Sequence, residues 1–539
     1  MLATYWLPDA LSLRLMLPEF ILVAAAVAVL LAAVLLGRDT RIATTITVLG
    51  GLAAACAAWM TMPLVAPGAI DLFTIRTSDR YFTTAPGMMV ADSLGQFVRI
   101  VVALLLVVTV AIAHWFDRGW REHAAEFLTL LICSAVGMMF MASTTNLLLM
   151  IIAIELTSMP SYALAGFDRS RRTSAEAATK YVLFGAATTG IAIFGASLLF
   201  GLSGSLHIPT IASSLHLMLE GVYGVASGAT VLLAGMALLL ALASVLFKIS
   251  AVPLHFWCPD VFEGAPLSIT AWLSTASKAA AIVLLLRVIG SLAAAATTSV
   301  ALHDAIIWTA ATLSMMTMFL ANIAALRQTS MRRMLAYSSI AHAGTMLAAA
   351  AIVPTSGTQD AAVVSAIAQY VAIYAVMNVG AFICLGLVAR DGDSERLDAF
   401  VGLGWRDPLV AASLAVCLFS LVGLPPLGGF VAKFWLIAAL AGVGGNAAVH
   451  PAHWLLVAAI VANTAISLYY YAAVLQLTYF RQSAEPGIRL LVPAASKIVV
   501  ATIAVMLVLS GTLLIQAQKS HADSLARGST ASGGSVSVR

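Results

Sequence analysis

Charge is what this sequence lacks. Of its 539 residues only 10% are Asp, Glu, Lys or Arg, while 61% are hydrophobic; soluble domains carry about a quarter charged residues. That balance excludes a water-soluble globular domain and places the chain in a lipid bilayer. Cysteine is sparse too: Cys56, Cys133, Cys258, Cys384 and Cys417 are scattered, with no C-x-x-C pair and no iron–sulfur spacing, so they read as small apolar residues. No two of the ten histidines share a helix at a spacing that would hold a haem, and no G-x-G-x-x-G follows a strand pattern, so no redox, metal or nucleotide site is visible. The first apolar run has no basic leader and no A-x-A-like cleavage site, and is expected to be a retained helix. The net charge of +4 resides mainly in arginines of short loops, which points to membrane topology and not to nucleic acid.

What is present is a succession of apolar runs. Fourteen candidate spans lie at about 18–36, 42–65, 93–114, 125–142, 146–167, 176–201, 227–257, 266–290, 301–323, 335–353, 360–389, 408–440, 453–480 and 494–516. Most are long enough to cross a hydrocarbon core of roughly 30 Å. They are expected to be helices, because a spanning backbone must satisfy its own hydrogen bonds and the sequence lacks the strict alternation of a barrel. The fold class is therefore an all-α integral membrane protein. Its expected divisions are three N-terminal spans (1–124), a first repeat (125–290), a second repeat (301–480), a last span (494–516) and a polar tail (517–539). The tail is rich in Ser and Gly and is expected to be disordered. Segment 202–226 reads as a long outward loop, with His207 and His216 solvated.

Arginine supplies an independent check on this register. The loops after spans 1, 3, 5, 9, 11 and 13 hold fifteen basic residues, whereas those after spans 4, 6, 8, 10 and 12 hold none. Basic residues collect on the cytoplasmic side, so both termini are expected to face outward.

Lysine is used differently. Of six lysines, Lys180, Lys248, Lys278 and Lys433 lie within apolar spans, where a charge at mid-bilayer costs on the order of 2.5–3.5 kcal/mol. Arginine stays protonated in any setting, whereas a desolvated lysine can be tuned until it gains and loses a proton. Snorkelling to a helix end is the alternative for Lys180, four residues into its span. Glu155, near the middle of span 5 in IELTSMPSYAL, needs a proton or a partner, and a neighbouring lysine supplies either; a permanently neutral helix tether is the alternative. His255 and His342 also fall within spans and read equally well as proton relays or as hydrogen-bonded structural groups.

Two spans contain helix breakers beside a lysine. Pro253 follows Lys248 in KISAVPLHF, and Pro425, Pro426, Gly428 and Gly429 precede Lys433 in GLPPLGGFVAKFW. Broken spans at corresponding positions of two halves suggest inverted five-helix repeats, spans 4–8 and 9–13, with ion sites beside the unwound backbone.

These stretches, with FEGAPLSITAWLSTASKAA, ATKYVLFGA and YSSIAHAG, together resemble the antiporter-like membrane subunits of respiratory complex I over nearly the whole chain. The resemblance implies a proton-translocating subunit of an NADH-quinone oxidoreductase, in a bacterial inner membrane. It also implies that FMN, iron–sulfur clusters and quinone belong to partner subunits and that this chain holds no cofactor or metal. The implied partners are the other antiporter-like and small membrane subunits and, through them, the peripheral NADH dehydrogenase arm. By the same resemblance Glu155 and Lys248 are an ion pair, Lys278 is the central relay, and Lys433 belongs to a second channel. Lys180, His255 and His342 match further polar positions of the proton path. A multi-subunit cation/proton antiporter, a membrane-bound hydrogenase subunit and a purely structural subunit are the competing readings.

Overall fold

The computed structural model describes residues 10–65, 70–72, 87–117, 119–219, 228–295, 300–356, 360–392, 395–443, 449–481 and 494–512. The expected disordered tail, 517–539, lies outside the described residues. The first helices are α1 (Ala10–Leu15), α2 (Leu17–Leu35) and α3 (Thr40–Val65), followed by a small antiparallel hairpin of β1 (Ile70–Leu72) and β2 (Met89–Ala91). Then come α4 (Ser93–Phe116), α5 (Ala124–Ser143), α6 (Leu147–Ala165), α7 (Arg172–Ser203), α8 (Ile208–Leu219), α9 (Gly228–Ala241), α10 (Ala243–Ile249), α11 (Trp257–Gly264) and α12 (Leu267–Ala295). The remainder is α13 (Val300–Ala325), α14 (Met331–Leu347), α15 (Ala349–Ser356), α16 (Ala361–Gly392), α17 (Leu403–Arg406), α18 (Pro408–Val422), α19 (Gly428–Leu440), α20 (Pro451–Phe480) and α21 (Ala494–Thr512).

The architecture is all-α, as the apolar composition requires. Among the described residues twelve helices are long and apolar enough to span a membrane, and the bent pair α9 and α10 makes up to thirteen; α18 and α19 are each too short alone. Expected span 12, 408–440, thus appears as two short helices. Two expectations are corrected. The 202–226 segment is not simply a loop: α8 occupies much of it, and its start is tied down by Asn146, which pairs with His207 in a β-bridge. In span 7 the axis bends by 42° at Leu242, before Lys248. The proline lies further on, in the non-helical stretch between α10 and α11.

Helix ends follow local sequence. Asp92, Asn146, Ser330 and Asp407 cap α4, α6, α14 and α18 with side-chain oxygens that accept from first-turn amides. Asp117 binds the start of α12 in the same way, accepting from Leu267 N at 2.9 Å and Ser268 N at 3.3 Å. Burial pushes the Asp117 carboxyl up to about 6 despite those donors.

Three helical units form the interior: α12, α14 with α15, and α16 are 89%, 94% and 89% buried along their apolar windows, whereas α21 is only 22% buried. Large apolar side chains such as Leu183, Trp59 and Phe194 point outward from the peripheral helices, as lipid contact allows. Contacts among the connecting segments include two groups. In one, Thr40 donates to the Arg121 carbonyl, and Glu395 pairs with both Arg171 and Arg332. In the other, Thr145 reaches Gly87, and Arg287 from α12 clasps Asp92 with two bonds of 2.9 Å while donating to the Ala142 carbonyl. Burial works to raise the Asp92 carboxyl, and the Arg287 guanidinium outweighs it, holding the group below its ordinary range.

Two substitutions test these supports. Arg287→Ala strands a buried carboxylate and is expected to destabilise the bundle by about 3–5 kcal/mol, seen as a lower thermal unfolding midpoint in detergent. Gly429→Ala brings a Cβ within 1.7 Å of the Ser420 carbonyl oxygen; the required separation of α18 and α19 is expected to cost about 1–3 kcal/mol in the same assay.

Candidate functional site

Three lysines are enclosed by the bundle, each by a different device. Lys433 stands on α19 just past the break that separates it from α18. A helix leaves its last carbonyls without intrahelical partners, and Lys433 Nζ uses two of these, Val422 O at 2.7 Å and Leu421 O at 3.4 Å, together with Thr464 Oγ1 at 3.2 Å. The negative end of the α18 dipole points the same way. Gly423, in the left-handed conformation at φ 89°, ends α18 there and lies against the lysine stem; a Cβ at that position would sit 3.0 Å from Lys433 Cδ.

Lys248, 1% exposed, sits in the last turn of α10. Ser250, at φ 63°, turns the chain out of that helix. Lys248 Nζ donates to Tyr181 Oη at 3.1 Å and lies 5.1 Å and 5.7 Å from the ring centres of Tyr181 and Tyr162, within cation–π range. Glu155 is half-buried one helix away and accepts from Thr189 Oγ1 at 2.5 Å. The carboxylate is near enough to act on Lys248 electrostatically, yet the two do not touch.

Lys278 is fully buried on α12, the innermost position of the three. Its ammonium donates to Ser339 Oγ on α14 and stands 5.8 Å from the Phe262 ring centre. Cys258 is its other close neighbour and lies beside Ser250. One turn along α14 from Ser339 is His342, whose Nδ1 is 2.8 Å from Tyr370 Oη. His342 interacts electrostatically with both Lys278 and Lys433, and a cleft of about 10 Å³ lined by His342, Thr345, Lys433 and Asn463 joins it to the latter.

The structure therefore brings Lys278, His342 and Lys433 into one polar line and puts Glu155 near Lys248. Among the described residues, the only lysines in ion pairs are Lys180 and Lys497. Lys180 stands apart from the line. It bonds Asp260 at 2.8 Å and Glu176 at 2.9 Å, and Asp260 in turn binds Arg333, which also pairs with Glu263. This part-exposed cluster ties α7 and α11 to the start of α14. Burial acts to raise the Asp260 carboxyl, while Lys180 and Arg333 overcome it and hold the group below the usual carboxylate range. His255 lies half-buried between α10 and α11, its ring 4.3 Å from that of Phe256 and tilted by 35°, with Nδ1 buried and without a hydrogen bond.

Sequence reasoning missed Tyr181, Tyr162, Ser339 and Tyr370. A buried tyrosine must place its hydroxyl, and both Tyr162 and Tyr181 stand in the stretches that carry Glu155 and Lys180, so the signal was present. Among the described residues no group of three or more His, Cys, Asp or Glu side chains could hold a metal ion. The five cysteines are all free thiols.

Known proteins resemble this chain over most of its length. The model of the family described as NADH:quinone oxidoreductase/Mrp antiporter, TM, matches residues 144–467, the part of the chain that holds every residue of the polar line. NADH-quinone oxidoreductase subunit N 2 of Sorangium cellulosum is 36% identical over 485 residues, covering 88% of this chain and 90% of the relative. Subunit N of Rubrobacter xylanophilus is 37% identical over 478 residues, covering 88% and 89%. A chain in the structure of respiratory complex I from Thermus thermophilus with bound aureothin superimposes with a TM-score of 0.70 at 29% identity, over 92% of this chain and 97% of that one. With twelve or more apolar helices and a family match across the polar core, the chain is a multi-pass membrane protein that belongs to the NADH:quinone oxidoreductase/Mrp antiporter family.

Proposed function

We propose that this chain translocates protons as the N-type antiporter-like subunit of an NADH-quinone oxidoreductase, driven by electron transfer in partner subunits. One observation carries the reading: Lys248 and Lys278 are buried in an apolar bundle, Lys433 is half-buried in it, and none of the three has a carboxylate in contact among the described residues. An ammonium held by hydroxyls, ring faces and carbonyls keeps partners in either protonation state, because a neutral amine both donates and accepts. A direct carboxylate contact would favour the charged form and hold the proton in place.

In this reading a charge movement in the neighbouring subunit perturbs Glu155, which alters the proton affinity of Lys248. A proton then passes by way of Lys278 and His342 to Lys433, with water entering where the two broken spans expose backbone carbonyls. The polar line beside α18 and α19 supports the second half of that path, and Cys258 neighbours both Lys278 and Ser250, two residues on from Lys248. Lys180 is proposed to serve the path from its edge, as the group that anchors α7 to Asp260. His255 is proposed to line the break through which Lys248 meets water. NADH, flavin, iron–sulfur and quinone chemistry is assigned to partners, and the membrane to the bacterial inner membrane with both termini outward. The spans from α5 to α12 and from α13 to α20 are proposed as the two inverted repeats.

The matched family also includes Mrp antiporters, so a cation/proton antiporter without a redox partner is the second reading. The partners that co-purify in mild detergent separate the two: a flavin- and iron–sulfur-bearing arm is expected, and small cation-antiporter subunits in its place would overturn the first reading.

Two further outcomes are expected. Glu155→Gln or Lys248→Ala lowers quinone-coupled proton pumping in inverted membrane vesicles at least several-fold, while NADH oxidation by an artificial acceptor is unchanged; undiminished pumping in an assembled Glu155→Gln complex would sink the relay. Lys278→Arg keeps the charge but cannot release it, so its pumping is expected to fall as far as that of Lys278→Met. A purely structural lysine would instead tolerate arginine far better than methionine.

A further inference from the structure

Between Glu155 and Lys248 the structure places two tyrosines. The polar contacts of this region follow one face of α7, where Tyr181, Gly185 and Thr189 succeed each other at intervals of four residues, the repeat that stacks side chains along a helix. Thr189 holds the Glu155 carboxylate and Tyr181 holds the Lys248 ammonium. Gly185, midway, has no side chain, and the space is filled by the tip of Tyr162 from α6: a Cβ on Gly185 would lie 1.8 Å from Tyr162 Oη. That hydroxyl is buried and completes no hydrogen bond, with Ser158 the polar group beside it. The Tyr162 and Tyr181 rings meet edge-to-face at 4.7 Å, and Tyr181 is stacked at 4.5 Å and 6° on Trp257, which fixes the second ring from behind.

We propose that Tyr162 and Tyr181 are positioning residues for Lys248, a two-ring spacer that keeps Glu155 from closing on the lysine and sets how strongly the two groups act on each other. The inference rests on the proton-relay reading of Glu155 and Lys248. Its physical content is a graded interaction. A hydroxyl and two ring faces favour the ammonium without pinning it, and the carboxylate acts across the rings through a medium that screens it little. Direct contact would yield a locked pair; wider separation would leave Lys248 indifferent to Glu155. Gly185 belongs to the device because only a residue without Cβ admits the Tyr162 tip between α6 and α7.

The test uses the assembled complex in inverted vesicles, with co-purification of this chain as the check on assembly, and reads proton pumping against pH. Tyr181→Phe keeps the ring and its stacking but removes the acceptor of the lysine proton. It is expected to move the midpoint of the pumping profile to lower pH by up to about one unit, the equivalent of a hydrogen bond worth about 1.4 kcal/mol. Tyr162→Phe tests the unbonded hydroxyl, and Gly185→Ala displaces the same ring tip without changing any polar group; each is expected to shift the profile as well. In a Glu155→Gln background Tyr162→Phe and Gly185→Ala are expected to add nothing further, since there is then no carboxylate for the spacer to hold off. If Lys248→Ala abolishes pumping while Tyr181→Phe, Tyr162→Phe and Gly185→Ala all keep the parent rate and profile, the relay stands and the spacer is overturned. If Lys248→Ala pumps normally, the proton-relay reading itself fails and the spacer with it. A variant that assembles but shows the same loss of rate at every pH, with or without Glu155, would identify these rings as packing alone.

Discussion

The cost of an ion in hydrocarbon governs this molecule. A backbone without water must close its own hydrogen bonds, and an ammonium without water must find oxygens or ring faces within the protein. Every unusual feature near the site answers the second demand at the expense of the first. The break between α18 and α19 releases the carbonyls of Leu421 and Val422, and Lys433 takes them. A continuous helix would have consumed those carbonyls in its own ladder and left the lysine with Thr464 alone. Helix breaking and charge burial are thus one arrangement, in which the irregular backbone is tolerated because it faces a charge and the charge because it faces irregular backbone.

The two broken spans solve the same problem with different chemistry. Lys433 rests on main-chain oxygens, whose positions are fixed by the fold. Lys248 rests on the phenol of Tyr181, a side chain held by stacking on Trp257. Main-chain carbonyls tie proton affinity to backbone position, whereas a phenol lets it respond to whatever moves the ring. That asymmetry fits a line of sites in which Lys248, beside Glu155, receives a signal and Lys433, at the other end, passes a proton on. Lys278 lies on α12, one of the three interior helical units, and among the described residues Ser339, Cys258 and His342 are polar side chains that act on it.

Much of this was legible from composition. Scarce charge predicted the bilayer, and lysines confined to apolar runs predicted the buried ammoniums at 248 and 278 and the half-buried one at 433. The prolines and glycines before Lys433 predicted its break, because local chemistry alone forbids a helix there. Less legible was anything that depends on a partner distant in sequence. Leu242 gave no local signal for the bend in span 7, since neither proline nor glycine stands at that point. Lys180, four residues into its span, left snorkelling open as the alternative, but its partner could not be read: Asp260, 80 residues away, holds it in a part-exposed cluster with Arg333. Apolar neighbours in sequence show that a charge has been placed deliberately, not which partner it has been placed for.

The Lys180 cluster nevertheless bears on the same mechanism. Asp260 lies in α11, directly after the non-helical stretch that follows Lys248, and it is gripped from both sides by Lys180 on α7 and Arg333 on α14. Arg333 opens the helix that carries Ser339 and His342. Short, charged contacts therefore join the segment after Lys248 to the helix bearing the next polar groups. Exposed ion pairs contribute little to stability, with a median of about 0–1 kcal/mol, so this cluster is poorly explained as a stabilising device. Its geometry is better explained by alignment: five charges on three elements tie α7 and the segment after the first broken span to the helix that continues the polar line.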